Sequence, residues 1–342
     1  MRQAGSRRTL HDIAREAQVS PATVSRVLNG RLDSRIASAT RDRVLRIAER
    51  LGYEPNRIAQ ALVTGRTHMV GVVVPYRWYP FATDVMDCVQ QRLEPLGWGM
   101  VVEGTEGDRE WFLHGVRRLE GQVDGILTVD RCDLVQALVD DPPGFGKPVV
   151  SVGSDCYRGV DHVSIELGRG AADAVSHLIE QGCRRIVYVV PQISAHPHEA
   201  RRLAYESTMA AAGLEPELVV FPKGTRRGAR EAFLAHAAER RRLPDGLFCC
   251  NDVTALGVYR ALRDLGVRIP EDVALVGCDG TDETQYVDRP ISTIVMPVAQ
   301  MCEQGIGFLQ RRIDQPDLPL QGAELTASLC IRESSRRQVG DS

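Results

Sequence analysis

The sequence predicts an α/β protein in which a small helical head precedes a larger core of parallel sheets flanked by helices. Two short helical patterns joined by a tight turn fill the stretch from Thr9 to Gly30. After residue 67, short apolar runs alternate with helical patterns, which indicates strand–helix–strand units. The charge divides at the same point: residues 1–66 hold 13 Arg, no Lys and 6 acidic residues, whereas the remainder of the 342-residue chain is net acidic. A basic head on an acidic body is typical of a nucleic-acid-binding module attached to a soluble core.

The first helix is predicted to begin after Thr9. Thr9 and Asp12 have the spacing of a capping box, in which each side chain accepts a hydrogen bond from the backbone N–H of the other residue. The apolar residues that follow recur at the helical period and form one face: Leu10, Ile13, Ala14 and Ala17. Gln18 and Val19 are expected to form the turn.

The second helix is expected to present a polar face to DNA. Ser20 is a good N-cap, and Pro21 suits the first helical position, where its missing N–H costs nothing. Three apolar residues are predicted to face the first helix: Val24, Val27 and Leu28. The residues left outside are Ala22, Thr23, Ser25, Arg26 and Asn29. In the major groove an Arg reads guanine bidentately and an Ala contacts a thymine methyl, while Thr, Ser and Asn donate to phosphates. Periodicity alone equally allows an ordinary helical hairpin with a solvated polar face.

Residues 52–67 predict a short linker helix. The helix would begin after Pro55 and have about two turns, and helices shorter than ~12 residues are marginal alone in water. We therefore expect it to form only when something orders it. Leu62 is a candidate wedge that opens a base step from the minor groove, with Asn56 and Arg57 near the DNA backbone. The alternative is a polar interdomain linker that happens to hold one Leu.

These stretches resemble a known family. The run AREAQVSPATVSRVLNG, residues 14–30, is closely similar to the helix–turn–helix of the lactose-repressor (LacI/GalR) family, and GYEPNRIAQALVTGRT resembles the hinge of that family. Shorter motifs continue in the family's order along the chain: Gly182–Ile186, Asn251–Gly257, Ile269–Val273, Gly277–Asp279 and Ile331–Ser334. The resemblance covers nearly the whole chain, and it implies a transcriptional repressor controlled by a small-molecule effector.

The resemblance also implies how the protein binds DNA. Two heads of a homodimer would read the half-sites of a pseudo-palindromic operator in double-stranded DNA, and paired hinge helices with Leu62 intercalated would kink its centre. An effector, expected to be a carbohydrate or related metabolite, would weaken DNA binding or, as a corepressor, strengthen it. A dimer is expected because the leucine-heptad tail of tetrameric members is missing. The candidate DNA-contacting residues are Thr9, Ser20, Pro21, Ala22, Thr23, Ser25, Arg26, Asn29, Asn56, Arg57, Ala59 and Leu62.

The body of the chain is predicted to hold about nine strands, which is many for one sheet of this kind and therefore favours two sheets in two lobes. The predicted strands are Met69–Val74, Gly99–Val102, Gly125–Val129, Pro148–Val152, Arg185–Val190, Glu217–Val220, Leu247–Cys250, Val273–Gly277 and one from Ile294. The predicted helices are Ala82–Leu96, Gly170–Gln181, Glu199–Ala212, Ala229–Arg240 and Thr254–Leu265. The resemblance implies the two-lobed architecture of periplasmic binding proteins (type I), with crossovers near residues 161–166 and 290–296.

Four segments follow from these patterns. The predicted domains are a helix–turn–helix DNA-binding domain over residues 1–53, a hinge helix or linker over 54–66, a two-lobed effector-binding and dimerisation domain over 67–334, and a disordered tail over 335–342.

A ligand site is expected where the strands of such sheets end, since ligands bind at their carboxyl ends. The first strand is followed by aromatic residues whose faces can pack on a sugar ring: Tyr76, Trp78 and Phe81. Asn251 and Asp279 follow later strands, and Arg201 opens a helix. The resemblance matches these three polar residues to positions where family members hold their effector. A helix cap at Asn251 and a sealing role for the aromatics are the structural alternatives.

Some residues depart from the pattern of the family. Gln18 stands in the turn where Gly is usual, and Ala37 stands where a capping Ser is common. In the expected cleft, Gly153–Ser154 replaces a frequent Asp–Arg, Glu166 replaces Asp at the crossover, and Gly280 replaces a second Asp. The ligand therefore need not be an ordinary hexose, and a loss of effector response is also allowed.

Other functional classes find little support in the sequence. No G-x-S-x-G elbow, P-loop, G-x-G-x-x-G after a strand or metal-ligand spacing occurs, so we expect no enzyme and no cofactor. His196 and His198 lie in a Pro-bounded loop and are expected to be structural or exposed. The nine cysteines fit buried free thiols, and neither a signal peptide nor a membrane span is evident, so we expect a cytoplasmic, nucleoid-associated protein with no membrane partner. A solute-binding protein of sugar uptake is the alternative, against which the basic head argues.

Overall fold

Two compact units make up the chain, the first ending at His68 and the second beginning at Met69. The structure, a computed structural model, describes residues 9–28, 36–53, 64–74, 80–104, 109–140, 145–240 and 242–337.

The first unit contains α1 (Leu10–Ala17), α2 (Pro21–Leu28) and α3 (Ser38–Arg50). The predicted capping box is confirmed, since the Thr9 N–H donates to Asp12 Oδ2 (3.0 Å) and the Asp12 N–H to Thr9 Oγ1 (3.4 Å). The inward faces predicted for α1 and α2 are confirmed as well. They pack with α3 in one apolar cluster of buried residues: Ile13, Ala14, Ala17, Val24, Val27, Val44, Ile47 and Ala48.

The turn between α1 and α2 contains a left-handed residue, Gln18, although that residue is not glycine. Gln18 has φ 53° and ψ 45°, and the Val19 N–H donates to Ala14 O (3.1 Å), which closes the end of α1. A left-handed non-Gly residue costs roughly 1–2 kcal/mol, so the departure at Gln18 adds strain without changing the turn. α3 begins after Ala37, which supplies no side-chain cap, as its residue type predicts.

The described part of the second unit holds twelve strands in two six-stranded sheets. The strands are β1 (Met69–Val74), β2 (Gly99–Gly104), β3 (Gly125–Val129), β4 (Val149–Gly153), β5 (Asp161–Glu166), β6 (Ile186–Pro191), β7 (Glu217–Phe221), β8 (Gly246–Cys249), β9 (Ala274–Asp279), β10 (Ser292–Val295), β11 (Gly322–Thr326) and β12 (Ser328–Cys330). The first sheet has the order β11-β5-β4-β3-β1-β2 and the second the order β12-β10-β9-β8-β6-β7. All neighbours are parallel except β10 and β12.

Helices cover both sheets. They are α4 (Pro80–Leu93), α5 (Arg109–Leu119), α6 (Cys132–Asp140), α7 (Gly168–Glu180), α8 (Ala200–Ala211), α9 (Arg226–Arg240), α10 (Asp252–Asp264) and α11 (Val298–Asp314). The first lobe consists of the first sheet with α4, α5, α6 and α11, and the second lobe consists of the second sheet with α7, α8, α9 and α10. The predicted α/β class and the two sheets are confirmed, whereas α5, α6, α11, β5, β11 and β12 were not predicted.

The chain passes between the lobes three times. It crosses after β5 at residues 166–168, after β10 at residues 296–298, and at residue 327 between β11 and β12. The two segments predicted as crossovers, 161–166 and 290–296, are therefore wrong in detail, because they contain β5 and β10 themselves and the crossings follow directly. All three crossings begin at the carboxyl end of a strand, so the carboxyl edges of the two sheets adjoin.

The C-terminal segment is ordered through Arg337, which corrects the predicted start of the disordered tail at residue 335. Ser335 is fully buried, and its Oγ lies 2.8 Å from His177 Nε2 and 2.6 Å from Ser292 Oγ. Arg337 Nη2 donates to Asp245 O (2.6 Å). These polar contacts fix residues 335–337 against the second sheet.

All nine cysteines are free thiols, and five of them are buried: Cys183, Cys249, Cys250, Cys278 and Cys302. Burial raises the pKa of the Cys302 thiol to about 12, which keeps it protonated at neutral pH. Within the described ranges, no helix is long and apolar enough to cross a membrane.

Candidate nucleic-acid interface and ligand cleft

The start of α2 is fixed by side-chain hydrogen bonds. Ser20 Oγ accepts from the Thr23 N–H (3.1 Å), as an N-cap does, and lies 2.9 Å from Thr23 Oγ1. Pro21 is the first residue of α2, as predicted. Ser20 and Thr23 therefore already bond each other at the surface where the sequence predicts DNA contacts.

The outward face of α2 carries the residues predicted to read bases. Val24 and Val27 are buried against the other helices, and Ala22 and Arg26 are exposed on the same outer face, one turn apart. Ser25 is partly exposed beside them. A short, exposed, capped helix with one Arg and one Ala on its outer face has the dimensions and chemistry needed to enter a major groove.

Thr9 is exposed, and its side chain forms part of the start of α1. Its hydroxyl donates to Asp12 Oδ2 (2.9 Å) and also accepts in the capping box. Its side chain is thus committed to the start of α1.

Several predicted site residues lie outside the described residues. In the DNA-binding set these are Asn29, Asn56, Arg57, Ala59 and Leu62, and in the ligand set Tyr76 and Trp78.

Arg201 is held at the adjoining strand ends by the second lobe. Its Nε donates to Glu199 Oε1 (2.7 Å) and its Nη1 to the Cys250 carbonyl (2.5 Å), with only 13% of the side chain exposed. Burial opposes the charge of Arg201, but the Glu199 carboxylate more than offsets it and raises the pKa of Arg201 well above its usual value. Nη2 donates to no described residue, so one edge of the guanidinium is left for a ligand.

Asn251 is the N-cap of α10, which was the structural alternative for this residue. Its Oδ1 accepts from the Thr254 N–H (2.8 Å). Its amide nitrogen donates to no described residue. The cap therefore orients Asn251 while leaving the Nδ2 donors for a ligand.

Asp279 ends β9 with an unusual backbone. It is buried, and its φ is 127°, in the region that favours glycine. The loop after it is anchored by the buried Asp252, whose Oδ2 accepts from the Thr281 N–H (2.8 Å) and whose Oδ1 accepts from Thr293 Oγ1 (2.7 Å). Burial raises the pKa of Asp252 to about 6, against the lowering effect of these hydrogen bonds. The buried Asp252 carboxylate thus fixes the loop that directly follows Asp279.

Two residues of the first lobe have structural roles. Phe81, a predicted ligand contact, is only 4% exposed and belongs to the apolar cluster that both sheets share, because α4 turns this face of its first turn toward the core. Phe81 therefore has the structural role that was the alternative to ligand contact for the aromatic residues. Glu166 lies at the first crossing, where both carboxylate oxygens accept from the Arg169 N–H (3.1 and 3.2 Å) and cap α7.

Sequence reasoning missed Asp130. This residue follows β3 directly, and its Oδ1 accepts from the Asp155 N–H (3.0 Å) and from Ser154 Oγ (3.4 Å). The rule that selected Asn251 and Asp279, a polar residue directly after a strand, applies equally to Asp130 after the predicted strand Gly125–Val129.

Comparisons with known proteins match both units. Residues 9–56 match the family model of bacterial regulatory proteins of the lacI family, and residues 175–335 match the periplasmic binding protein-like domain. The ribose operon repressor of Haemophilus influenzae is 29% identical over 333 residues, which cover 95% of this chain and 98% of the repressor.

Solved structures agree with the fold. A transcriptional regulator CelR–cellobiose complex has a TM-score of 0.67 at 29% identity and covers 96% of this chain and 100% of its own. The lac repressor dimer bound to operator and the anti-inducer ONPF has a TM-score of 0.83 at 22% identity, with 96% and 99% covered, a likeness that shows the fold alone.

Proposed function

The chain belongs to the lacI family of bacterial regulatory proteins, and we propose that it is a sequence-specific DNA-binding repressor controlled by a small molecule bound between its two lobes. The observation that carries the proposal is the exposed outer face of α2. The Ser20 cap fixes the start of this helix, and α2 belongs to a three-helix unit that precedes the two-lobed core in the chain.

Base recognition is assigned to the outer face of α2. Arg26 reads guanine in the major groove, and Ala22 contacts a thymine methyl. The phosphate contacts that set the register are assigned to Ser20, Pro21, Thr23 and Ser25, to the backbone at the Thr9 cap, and, from the family resemblance, to Asn29. The hinge residues Asn56, Arg57 and Ala59 contact the backbone, and Leu62 intercalates at the operator centre.

The protein acts as a homodimer on a pseudo-palindromic operator. Two α2 helices related by a two-fold axis match two half-sites of the same symmetry. Because the operator is chromosomal DNA, the protein works in the cytoplasm, at the nucleoid.

The effector is a carbohydrate or a related metabolite. Arg201 bonds the Cys250 carbonyl and lies beside Cys278 Sγ, and these two residues directly precede Asn251 and Asp279. We assign to these three polar residues the donors and acceptors for hydroxyl groups. The relatives named above for a ribose operon and for a cellobiose complex support this class. Ligand binding changes the angle between the lobes and, by linkage, the affinity for the operator.

The test is a selection of genomic DNA fragments on the purified full-length protein at near-physiological salt. Retention of one palindromic motif, altered by a sugar or related metabolite from a panel, is expected, and the direction of the change separates an inducer from a corepressor. Failure to enrich any motif would overturn the proposal and favour a solute-binding protein. A motif that no compound alters would leave DNA recognition standing but overturn the effector control.

A further inference from the structure

The two sheets carry equivalent strand ends at the site. β4 lies third in the order of the first sheet and β9 third in the second. Gly153 ends β4 with φ 123°, and Asp279 ends β9 with φ 127°. The two lobes thus present nearly the same positive φ at matched positions, one with a carboxylate and one with no side chain.

The positive φ alone does not explain the glycine at 153, because Asp279 carries a side chain at nearly the same φ. What explains it is Asp130 on the neighbouring strand. A Cβ added at Gly153 would lie 2.2 Å from Asp130 Oδ1 and 2.8 Å from its Cγ. The carboxylate of Asp130 therefore fills the space that a side chain at residue 153 would occupy.

Asp130 is held there by several contacts. Its N–H donates to Val152 O (2.8 Å), and its Oδ1 accepts from Ser154 Oγ and the Asp155 N–H. Asp130 and Arg131 both have positive φ values, 53° and 60°, and backbone strain of this kind is concentrated at functional sites. The hydrogen bonds from Ser154 Oγ and the Asp155 N–H both go to Oδ1, the oxygen on the side of residue 153.

The charges near this carboxylate favour a ligand that donates hydrogen bonds. Asp130 forms no ion pair with any described residue, and burial raises the pKa of its carboxyl. The charge of Arg201 is already matched by Glu199 at 2.7 Å. Asp130 and Asp279 bring two carboxylates to the strand ends, which disfavours an anionic ligand, whereas hydroxyl groups can donate to carboxylates.

We propose that Asp130 is the ligand-recognition residue of the first lobe, the counterpart of Asp279, and that the site takes a neutral polyhydroxylated molecule whose hydroxyl groups donate to both carboxylates. The inference deepens the proposed effector site and rests on it. Asp130 thereby determines specificity against phosphorylated and acidic sugars.

The ligand test uses thermal shift and calorimetry on the full-length protein with matched pairs of compounds: ribose with ribose 5-phosphate, lactose with lactobionate, and a wider set of neutral sugars and polyols. At least one neutral compound is expected to stabilise the wild type, and its acidic partner is not. Asp130→Asn should weaken that binding roughly 10- to 100-fold, since a charge-assisted hydrogen bond becomes a neutral one. Asp140→Asn, an exposed carboxylate on the same lobe, should leave it unchanged.

The space test asks whether Asp130 fills the space beside Gly153, and its first measurement needs no ligand. Gly153→Asp should lower the melting temperature by several degrees because of the clash, and adding Asp130→Gly should restore most of it. The double variant moves the carboxylate to β4 and should recover binding of the same neutral compound, which Asp130→Gly alone loses.

Three results would overturn the inference: stabilisation by acidic compounds or by none, Asp130→Asn binding the neutral compound as well as the wild type does, or no recovery in the double variant. Operator retention with and without each compound is measured in parallel. No retention by the wild type under either condition refutes the proposed function, whereas intact retention with a failed ligand or space test refutes only the role of Asp130.

Discussion

Replacing Glu199 with Gln should destabilise the second unit by about 3 kcal/mol. The side chains of Glu199 and Arg201 are only 10% and 13% exposed, and Arg201 would lose its one ion-pair partner among the described residues while keeping the Cys250 carbonyl. Removing one member of a buried pair costs about 3–5 kcal/mol, and Gln retains the shape and one acceptor, so the lower end applies. Urea unfolding at pH 7, followed by tryptophan fluorescence, measures the change, because all three tryptophans lie in the second unit.

The same helix supplies a matched control. Arg202 and Glu206 form a pair of equal length, 2.7 Å, but their side chains are 22% and 34% exposed, so Glu206→Gln should cost only about 0.3–0.5 kcal/mol. Arg201 lowers the pKa of Glu199 despite the opposing effect of burial. The stabilisation is therefore present above the ordinary Glu pKa and disappears as the pH falls through the lowered value, and the gap between wild type and Glu199→Gln should narrow on acidification. Equal costs for the two variants at pH 7 would refute the reasoning.

Four further outcomes are expected. Arg26→Ala should relax specificity at one operator position at a cost of ~1–3 kcal/mol, and unchanged preference across operator variants would remove Arg26 from base reading. Leu62→Ala should keep the melting temperature but reduce operator bending in gel mobility, and an undiminished bend would exclude the wedge. Asp252→Asn should reduce the pH dependence of the free energy of unfolding, because the raised pKa of Asp252 makes the wild type lose stability as the pH rises from about 4 to about 6. Parallel curves of unfolding free energy against pH for the two proteins would contradict this. Phe81→Ala should cost about 3–5 kcal/mol as a core residue, whereas Trp111→Ala, at 57% exposed, should cost little; similar costs would argue against the sealing role.

Local patterns predicted the helical head well because its signals are local. The capping box at Thr9, the Ser20 cap and the inward apolar residues all depend on spacings of three or four positions. The nine strands that were predicted agree with the structure within one or two residues for a similar reason, since each is a short apolar run between turns.

Elements whose shape depends on distant partners escaped prediction. α11 contains Gly305, which lowers helix propensity, yet a Cβ there would lie 2.9 Å from Val152 Cγ1, so close packing on the first sheet requires the glycine. β11 is short and largely exposed, and it pairs with β5, over 150 residues earlier. Asp130 was within reach of the strand-end rule, but no sequence pattern shows that its carboxylate fills the space beside Gly153, because that contact joins two different strand ends.

The three crossings have a consequence for the order in which the chain becomes folded. α11 packs on α4 and on β3 to β5, and β11 completes the sheet that β1 began, so the first lobe is assembled from both ends of the core. Such long-range contacts form slowly, whereas the three-helix unit needs only its own neighbours in sequence. During synthesis the head can therefore fold long before the first lobe is complete. A truncation after residue 290 would remove α11 and β11 from the lobe that the chain starts first, together with β10 and β12 of the second lobe.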